Sequence, residues 1–440
     1  MSAVRHGPTL RALAAGTATG ALSANDALTG ALERLDETEP RISAWVRVDR
    51  DGALRAAGQL DSAPARGPLH GIPFGVKDII DVGGLPTECG SPLRRGRVAA
   101  ADAPLVARLR QLGAVPLGKT VTTEFAYFAP GSTRNPHDLA HTPGGSSSGS
   151  AAAVAAGVVP LALGSQTAGS LTRPAAYCGV AGFVAPAGGS LDTTGFVGLS
   201  PTLDTVGLLT PTVADLRLAH RALTGGDGPA GPPEPPVRPR IAVWQGTELA
   251  EISADMRTAL HRTAEQAAAR GAELVDIDWA ARTPGLAEAH ATVMAYEAAR
   301  ALADEAATPD RLSAPLNQLL ADGRTIPETA YRHARSVAER GRAELLTLLT
   351  EVDAVLGPAA PGPAPRGLAA TGSPVLSRPW QLLGLPVVTV PGHRDGRGMP
   401  LGLQLVGHPD RLDGLFSLGH AVEQSARGVA PAGSAGDPAP

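Results

Sequence analysis

The chain uses lysine at only two positions, Lys77 and Lys119, whereas its other 36 basic residues are arginines. A lysine can give up its proton inside a protein, and an arginine effectively cannot. The two lysines are therefore the first candidates for chemistry that needs a neutral amine, such as taking a proton from a hydroxyl nucleophile.

Lys119 lies in GAVPLGKT, residues 113–120, which matches the phosphate-loop pattern G-x-x-x-x-G-K-[ST]. That pattern needs a strand before it and a helix after it. Here a predicted helix, VARLRQLG, comes first, and Pro116 removes one backbone donor from the loop. We expect a helix-to-strand turn with Lys119 packed or paired, and we keep nucleotide binding as the alternative.

A second pattern, GSSSG at residues 145–149, matches the nucleophile elbow G-x-S-x-G with Ser147 at its centre. The elbow needs a strand leading into it, and the preceding DLAHTPG does not predict one. A flexible linker is the other interpretation, but the run leads directly into an apolar helix. The sequence favours neither the nucleophile elbow nor the flexible linker.

The third pattern combines Lys77 in GVKD, Ser146 in GGSSSGSAAA and Ser170 in GSQTAGSLTRPA. In these motifs, in their order and in the spacing of the two serines, the sequence resembles the amidase signature hydrolases. The resemblance is strong over residues 67–215. It continues at about 353–410, in GPAAPGPAPRG, RPWQLLGLPVVTVPG and GMPLGLQLVG.

The resemblance implies a Ser-cisSer-Lys triad in which Lys77 is the base, Ser146 the bridging serine after a cis peptide bond, and Ser170 the nucleophile. Burial of Lys77 in its apolar run would lower its pKa and keep it neutral. Neighbouring strand residues point to opposite faces, so Asp78 need not hold the lysine charged. Water would then release the acyl group from Ser170.

The same resemblance assigns the remaining site positions. The backbone N–H groups that would stabilise the oxyanion are those of Thr167, Ala168, Gly169 and Ser170. The substrate-binding candidates are three aromatic residues, Tyr127, Phe128 and Trp380. The supporting residues are Gly144, Gly145, Ser147, Ser148, Gln166 and Arg173.

The chain departs from the commonest family pattern in three places. Gln166 and Ala168 stand where many members have aspartate and glycine. Arg173 follows the nucleophile by three residues, whereas many members have this arginine two residues after it. A lysine that usually follows Phe183 is missing, with Val184 in that region. These departures leave the triad intact and bar any transfer of substrate identity.

The segments around these residues predict an α/β fold. Leucines at helical spacing predict two or three helices over residues 8–62, with Ser23 as an N-cap. Helices are also predicted over 104–112 and in SAAAVAAG. Short apolar runs predict buried strands in GIPFGVKDIID, AVPL, VVPLALGSQTAG, RIAVW, AVLGPAAPG, LPVVTVPG and LGLQLVG. With the resemblance, we expect a large mixed β-sheet covered by helices on both faces.

We expect three regions along the chain. Residues 1–65 would form N-terminal helices that pack on the core. Residues 66–425 would form a single domain with a variable, mainly helical insertion at about 224–350, which opens with a linker or surface loop at 224–240. Residues 426–440 would be a disordered tail.

Composition excludes several classes of protein. A net charge of −4 is unlike that of a nucleic-acid binder, and two cysteines cannot form a disulfide framework or a four-thiolate zinc site. The longest apolar stretch, residues 151–163, is too short to span a bilayer. We expect a cytoplasmic protein with no metal, cofactor, nucleic-acid or membrane partner. The sequence does not decide whether the chain forms a homodimer.

The main functional prediction is an amidase that hydrolyses the C–N bond of a small-molecule amide through an acyl-enzyme. Acyl transfer to an amine is an alternative, because the same triad serves both reactions. A second alternative is the glutaminase-type subunit of an amidotransferase, although the serine loop does not look like that subgroup.

Overall fold

The computed structural model describes residues 7–189, 191–226, 234, 237–277 and 279–428. In this part of the chain, eleven strands form one sheet in the order β1-β3-β2-β4-β6-β5-β10-β11-β9-β7-β8. The strands are β1 (Trp45–Val48), β2 (Pro73–Lys77), β3 (Val115–Thr120), β4 (Leu161–Gln166), β5 (Ala181–Val184), β6 (Thr205–Thr210), β7 (Arg240–Val243), β8 (Glu273–Asp276), β9 (Ala354–Pro358), β10 (Val387–Arg394) and β11 (Pro400–Gly407).

Thirteen α-helices surround this sheet within the described residues. They are α1 (Leu10–Ala18), α2 (Ala24–Ile42), α3 (Arg50–Asp61), α4 (Pro104–Gln111), α5 (Ser148–Ala155), α6 (Thr172–Cys178), α7 (Val213–Leu223), α8 (Ala254–Ala269), α9 (Thr283–Ala301), α10 (Ala314–Thr325), α11 (Glu328–Glu351), α12 (Arg378–Leu382) and α13 (Leu412–Ala426).

The sheet is mixed and is buried on both faces. β2 pairs in parallel with β3 and β4, whereas β4, β6, β5, β10, β11 and β9 follow one another antiparallel. Every residue of β2, β3, β4, β6, β9 and β11 is buried. Because successive strand residues point to opposite faces, both faces must be covered. The predicted mixed α/β sheet is confirmed.

Parallel pairing brings the ends of two strands to one edge of the sheet. β2 ends at Lys77, and its neighbour β4 ends at Gln166 and leads through a short loop into α6. Open α/β sheets place ligands at the carboxyl ends of their parallel strands. Lys77 and the loop that carries Ser170 therefore lie at the same edge of the sheet.

Several local predictions match the structure. Ser23 caps α2, where its Oγ accepts from Asp26 N–H and the Asp26 carboxylate accepts from Ser23 N–H. The predicted helices at 104–112 and in SAAAVAAG correspond to α4 and α5. Each predicted apolar run overlaps a strand of the sheet.

Other local expectations were wrong or incomplete. Lys119 lies inside β3 and not in a turn, because the strand continues from Val115 to Thr120. The N-terminal region is not purely helical, since β1 adds to the sheet beside β3. No pattern in the sequence indicated β5, β6 or β8. The insertion contributes β7 and β8 to the same sheet, next to β9.

The limits of the three regions stay a prediction. Residues 227–233 and 235–236 of the expected linker, and residues 429–440 of the expected tail, lie outside the described residues. Among the described helices, none combines the length and the apolar composition required to cross a membrane.

Candidate active site

Lys77 is the last residue of β2, and its side chain is fully buried. Its Nζ donates hydrogen bonds to Ser146 Oγ at 2.6 Å and to Ser165 Oγ at 2.7 Å. Ser165 lies on β4, the parallel neighbour of β2, so the sheet itself positions this hydroxyl. The amine therefore contacts two hydroxyl groups rather than a carboxylate.

The surroundings of Lys77 favour its neutral form. Burial lowers the pKa of the amine well below its ordinary value of 10.5. The negative charge of Asp204 acts in the opposite direction, whereas the positive charge of Arg173 lowers the pKa further. The adjacent Asp78 pairs with Lys119 at 2.9 Å. Lys77 is thus suited to accept a proton.

Ser146 follows a cis peptide bond from Gly145 and is buried. Gly144 has a φ of +84°, and a Cβ at this position would lie 2.8 Å from the Cα of Pro174. The Gly145 carbonyl accepts a hydrogen bond from Arg173 Nη2. Glycine at position 144 therefore lets this segment approach α6 closely, and Arg173 fixes the backbone before Ser146.

Two neighbouring serines hold this segment against the sheet. Ser147 Oγ donates to Ser165 O at 3.3 Å and accepts from Ser165 N–H at 3.2 Å. The backbone N–H of Ser147 donates to Ser170 O at 3.0 Å. Ser148 Oγ donates to Val121 O at 3.3 Å. Ser147 thereby links the Ser146 segment to the Ser170 loop.

Gln166 closes the loop that carries Ser170. Its Oε1 accepts from the backbone N–H groups of Leu171 at 3.1 Å and Thr172 at 3.0 Å, where α6 begins. Its Nε2 donates to Gln381 Oε1 at 3.0 Å. The glutamine side chain thus spans from the end of β4 to the start of α6, and α12 holds it in place.

Thr167 is fixed on two sides. Its Oγ1 donates to Asp204 Oδ1, and its carbonyl accepts from His290 Nε2 at 2.7 Å. Asp204 Oδ2 also accepts from the N–H groups of Leu199 and Ser200, at 2.6 and 2.8 Å. Burial raises the pKa of Asp204 to about 6 and lowers the pKa of His290 to about 3. His290 is therefore neutral, with its proton on Nε2.

Unpaired backbone donors lie in the loop that carries Ser170. In the described part of the chain, the backbone N–H groups of Ala168, Gly169 and Ser170 donate to no other group, and Ser170 Oγ makes no hydrogen bond. A Cβ on Gly169 would lie 3.0 Å from Pro374 Cβ, so any larger residue here would require Pro374 to shift. Free N–H groups next to a hydroxyl can receive the charge of an oxyanion.

A cavity of about 20 Å³ lies over Ser146 and Ser170. Tyr127 and Phe128 line it, with their ring centroids 4.9 Å apart in an edge-to-face contact. Arg173 also lines it, with its Cζ 6.0 Å from the Phe128 ring centroid. The Nε and Nη1 atoms of Arg173 are buried and have no hydrogen-bond partner among the described residues. The predicted residues Tyr127 and Phe128 thus stand beside the serines.

Trp380 requires a correction, because its ring does not line this cavity. The side chain is fully buried. It packs against Trp244, with ring centroids 4.9 Å apart, and against Trp279, with centroids 6.2 Å apart. The prediction that Trp380 binds substrate was wrong, because α12 turns the indole into an aromatic cluster in the core.

The second lysine has a different environment. Lys119 is fully buried on β3, and its Nζ donates to Asp78 Oδ1 at 2.9 Å, Thr87 Oγ1 at 2.7 Å and Pro86 O at 3.1 Å. The expectation that it is packed or paired is confirmed. Because residues 115–120 form a strand, the backbone here is not an open loop that could surround a phosphate.

The sequence did not point to four residues of this site. The sequence did contain an indication of Ser165, because it is a polar residue near the end of a mainly apolar strand. No feature of the sequence indicated Asp204. His290 and Met294, which lines the small cavity, lie on α9 in the region of the chain that carries no family motif.

Comparison with known proteins identifies the family. A family model described as Amidase matches residues 26–411. The chain belongs to the amidase signature family. A member of this family is an enzyme that acts on C–N bonds.

Curated relatives match nearly the whole length of this chain. A glutamyl-tRNA(Gln) amidotransferase subunit of Synechococcus sp. strain RCC307 is 33% identical, and the match covers 92% of this chain and 95% of the relative. The subunit of the same name from Geobacter metallireducens is 32% identical, and the match covers 92% of this chain and 94% of the relative.

Solved structures show the same fold. One described as an amidase superposes with a TM-score of 0.86 at 32% identity, covering 94% of this chain and 99% of its own. The peptide amidase of Stenotrophomonas maltophilia gives a TM-score of 0.81 at 29% identity, covering 95% of this chain and 97% of its own.

Proposed function

We propose that this enzyme cleaves the C–N bond of an amide through an acyl-enzyme on Ser170, with Lys77 as the base and Ser146 as the proton relay. One observation carries the proposal. The fully buried Lys77 places its Nζ 2.6 Å from Ser146 Oγ, and Ser146 and Ser170 line one cavity. A buried neutral lysine replaces the histidine of other serine hydrolases.

The proposed reaction has two halves. Ser170 Oγ attacks the carbonyl carbon while its proton passes to Ser146 and the proton of Ser146 passes to Lys77. The N–H groups of Thr167, Ala168, Gly169 and Ser170 receive the negative charge on the carbonyl oxygen. Ser146 then gives its proton to the leaving nitrogen and takes one back from Lys77, which becomes neutral again; the C–N bond breaks, and the acyl group stays on Ser170. An acceptor then attacks the acyl carbon, its proton passes to Ser170 Oγ through Ser146, and the bond between the acyl group and Ser170 breaks, which restores the serine.

The amide substrate and the use of the released ammonia separate two candidate functions, and water takes the acyl group in both. The first candidate is a small-molecule amidase that hydrolyses amides on its own, as the tight cavity over the serines suggests. The names of the curated relatives favour the second candidate, an amidotransferase component that releases ammonia from an amide for transfer to another substrate. Both candidates use the same first half-reaction, and both would cleave a primary amide.

The first test addresses the nucleophile. We expect a fluorophosphonate probe to label the wild-type enzyme on Ser170, and we expect Ser170→Ala to lose both labelling and amide turnover. The control is Ser62→Ala, at an exposed serine after α3, which should behave as wild type. Mass spectrometry of the labelled peptide identifies the modified residue. Labelling that persists in Ser170→Ala would rule out the assignment.

The second test addresses the acceptor. The purified chain is incubated with glutamine and with a panel of other primary amides, with and without added amines, and ammonia and acyl products are quantified. Hydrolysis of non-glutamine amides by the chain alone supports the small-molecule amidase. Release of ammonia from glutamine and from no other amide supports the amidotransferase component, whereas acyl products that form only with an added amine support acyl transfer to that amine.

A further inference from the structure

A second, larger cavity adjoins the one over the serines. Its volume is about 580 Å³, and Tyr127, Phe128 and Met294 line both cavities. Its outer walls come from α9, α10 and the first residue of α12, Arg378. We call this space the outer chamber. It is the larger of the two adjoining cavities, so it offers room for the part of a substrate that the 20 Å³ inner cavity cannot hold.

Arg378 brings an unpaired positive charge to the outer chamber. Its Nε is buried without a hydrogen-bond partner, and no carboxylate lies within ion-pair distance of its guanidinium among the described residues. Burial lowers its pKa, which reflects the cost of holding this charge away from water. A buried donor without a partner is unfavourable, so a group from outside the chain would stabilise it.

The other polar groups of the chamber do not satisfy this arginine. Asp322 on α10 also lines the chamber, but its Oδ1 accepts from Gln318 Nε2 at 2.7 Å, and it forms no ion pair with Arg378. Burial raises the pKa of Tyr127 above its ordinary value of 10, so this neutral phenol supplies no negative charge to the arginine. The positive charges of Arg378 and Arg173 also affect each other, since Arg378 lowers the pKa of Arg173.

The position of Arg378 at the start of α12 does not explain why this residue is an arginine. It is the first residue of α12, where a positive charge opposes the helix dipole. Its neighbour Trp380 faces the aromatic core, so α12 directs one side chain into the core and the guanidinium into the chamber. The guanidinium is therefore placed unfavourably with respect to the helix dipole and to Arg173, and a bound anion would offset both effects.

We propose that the outer chamber binds the part of the substrate distal to the scissile amide, and that Arg378 pairs with a carboxylate on that part. The inference rests on the proposed amide cleavage at Ser170 and adds the substrate class: amides that carry a carboxylate. A carboxylate matches the planar fork of a guanidinium with two parallel hydrogen bonds. The small inner cavity holds the reacting group, and the outer chamber selects the substrate.

The test compares monoamides of dicarboxylic acids, about four to six carbons long, with unsubstituted alkanamides of the same length. The wild-type enzyme should prefer at least one carboxylate-bearing amide. Arg378→Gln should lower kcat/KM for that amide about 10- to 100-fold, mainly through KM, and should change the value for the alkanamide less than about 3-fold. Arg378→Lys, which keeps the charge, should retain part of the preference.

Two controls distinguish loss of the contact between Arg378 and the substrate carboxylate from general damage to the active site around Ser170. Arg324→Gln changes an exposed arginine on α10 that does not line the chamber and should keep wild-type selectivity. The rate at which a neutral fluorophosphonate labels Ser170 should be equal in Arg378→Gln and wild type. Carboxylate-bearing amides should slow this labelling in wild type and not in Arg378→Gln.

The outcomes distinguish the two proposals. If wild type is labelled at Ser170 but the carboxylate-bearing amides are neither preferred nor protective, the substrate class is wrong and the amide chemistry stands. Equal losses on both kinds of amide in Arg378→Gln also overturn the role of Arg378. If wild type is neither labelled nor active on any amide, the proposed chemistry itself fails.

Discussion

At the scale of single residues, the surroundings of Lys77 decide what it can do. It is buried against Ser146 and Ser165, with the charge of Arg173 lowering its pKa further. We predict that Lys77→Met lowers kcat/KM for amide hydrolysis by about 10²- to 10⁴-fold, the usual contribution of a general base. Lys77→Arg should be about equally inactive, because arginine does not release its proton.

The pH profile gives the matching check. Because the neutral amine is the active form, activity should be full above the lowered pKa of Lys77 and should fall as the pH drops through it. Titration of kcat/KM against pH would locate this acidic limb well below 10.5. An acidic limb that stays in place in Lys77→Met, or an active Lys77→Arg, would contradict the assignment.

At the scale of elements, the loop from β4 to α6 depends on one side chain. Gln166 accepts from two N–H groups at the start of α6 and donates to Gln381 on α12. We predict that Gln166→Leu lowers kcat about 10²-fold, since a small displacement of a reacting group has such an effect. KM should change less, because the outer chamber is not altered. Steady-state kinetics separate the two constants.

A control for this prediction is Gln59→Leu on α3, at an exposed position far along the chain from the loop, which should leave kcat unchanged. The fluorophosphonate labelling rate should fall in parallel with kcat in Gln166→Leu. If labelling and kcat are both at wild-type values, the glutamine does not position Ser170.

The sequence predicted those elements whose pattern is local. Strands buried on both faces are apolar runs, so β2, β4, β10 and β11 could be found, whereas β5 has only four residues and is too short to be distinctive. The triad positions came from motif order and spacing. The outer chamber could not be predicted, because α9 and α10 carry no motif and Arg378 reaches it only through the turn of α12.

At the scale of the whole molecule, the buried pair of Lys119 and Asp78 links β3 to the end of β2. Burial lowers the pKa of Lys119 and raises the pKa of Asp78, so each charge depends on the other. We predict that Lys119→Met lowers the free energy of unfolding by about 3–5 kcal/mol, since it leaves a buried carboxylate unpaired. Adding Asp78→Asn should recover most of the loss in urea unfolding.

The same variant should affect catalysis through charge rather than contact. Asp78 is adjacent to Lys77 in the chain, and Lys119 neutralises it. Without Lys119, the unpaired carboxylate would favour a protonated Lys77, so the acidic limb of the activity profile should move to higher pH. Lys119→Met with Asp78→Asn should return the limb toward its wild-type position. A limb that does not move in Lys119→Met would show that the two lysines are electrostatically independent, with Lys119 serving the fold alone.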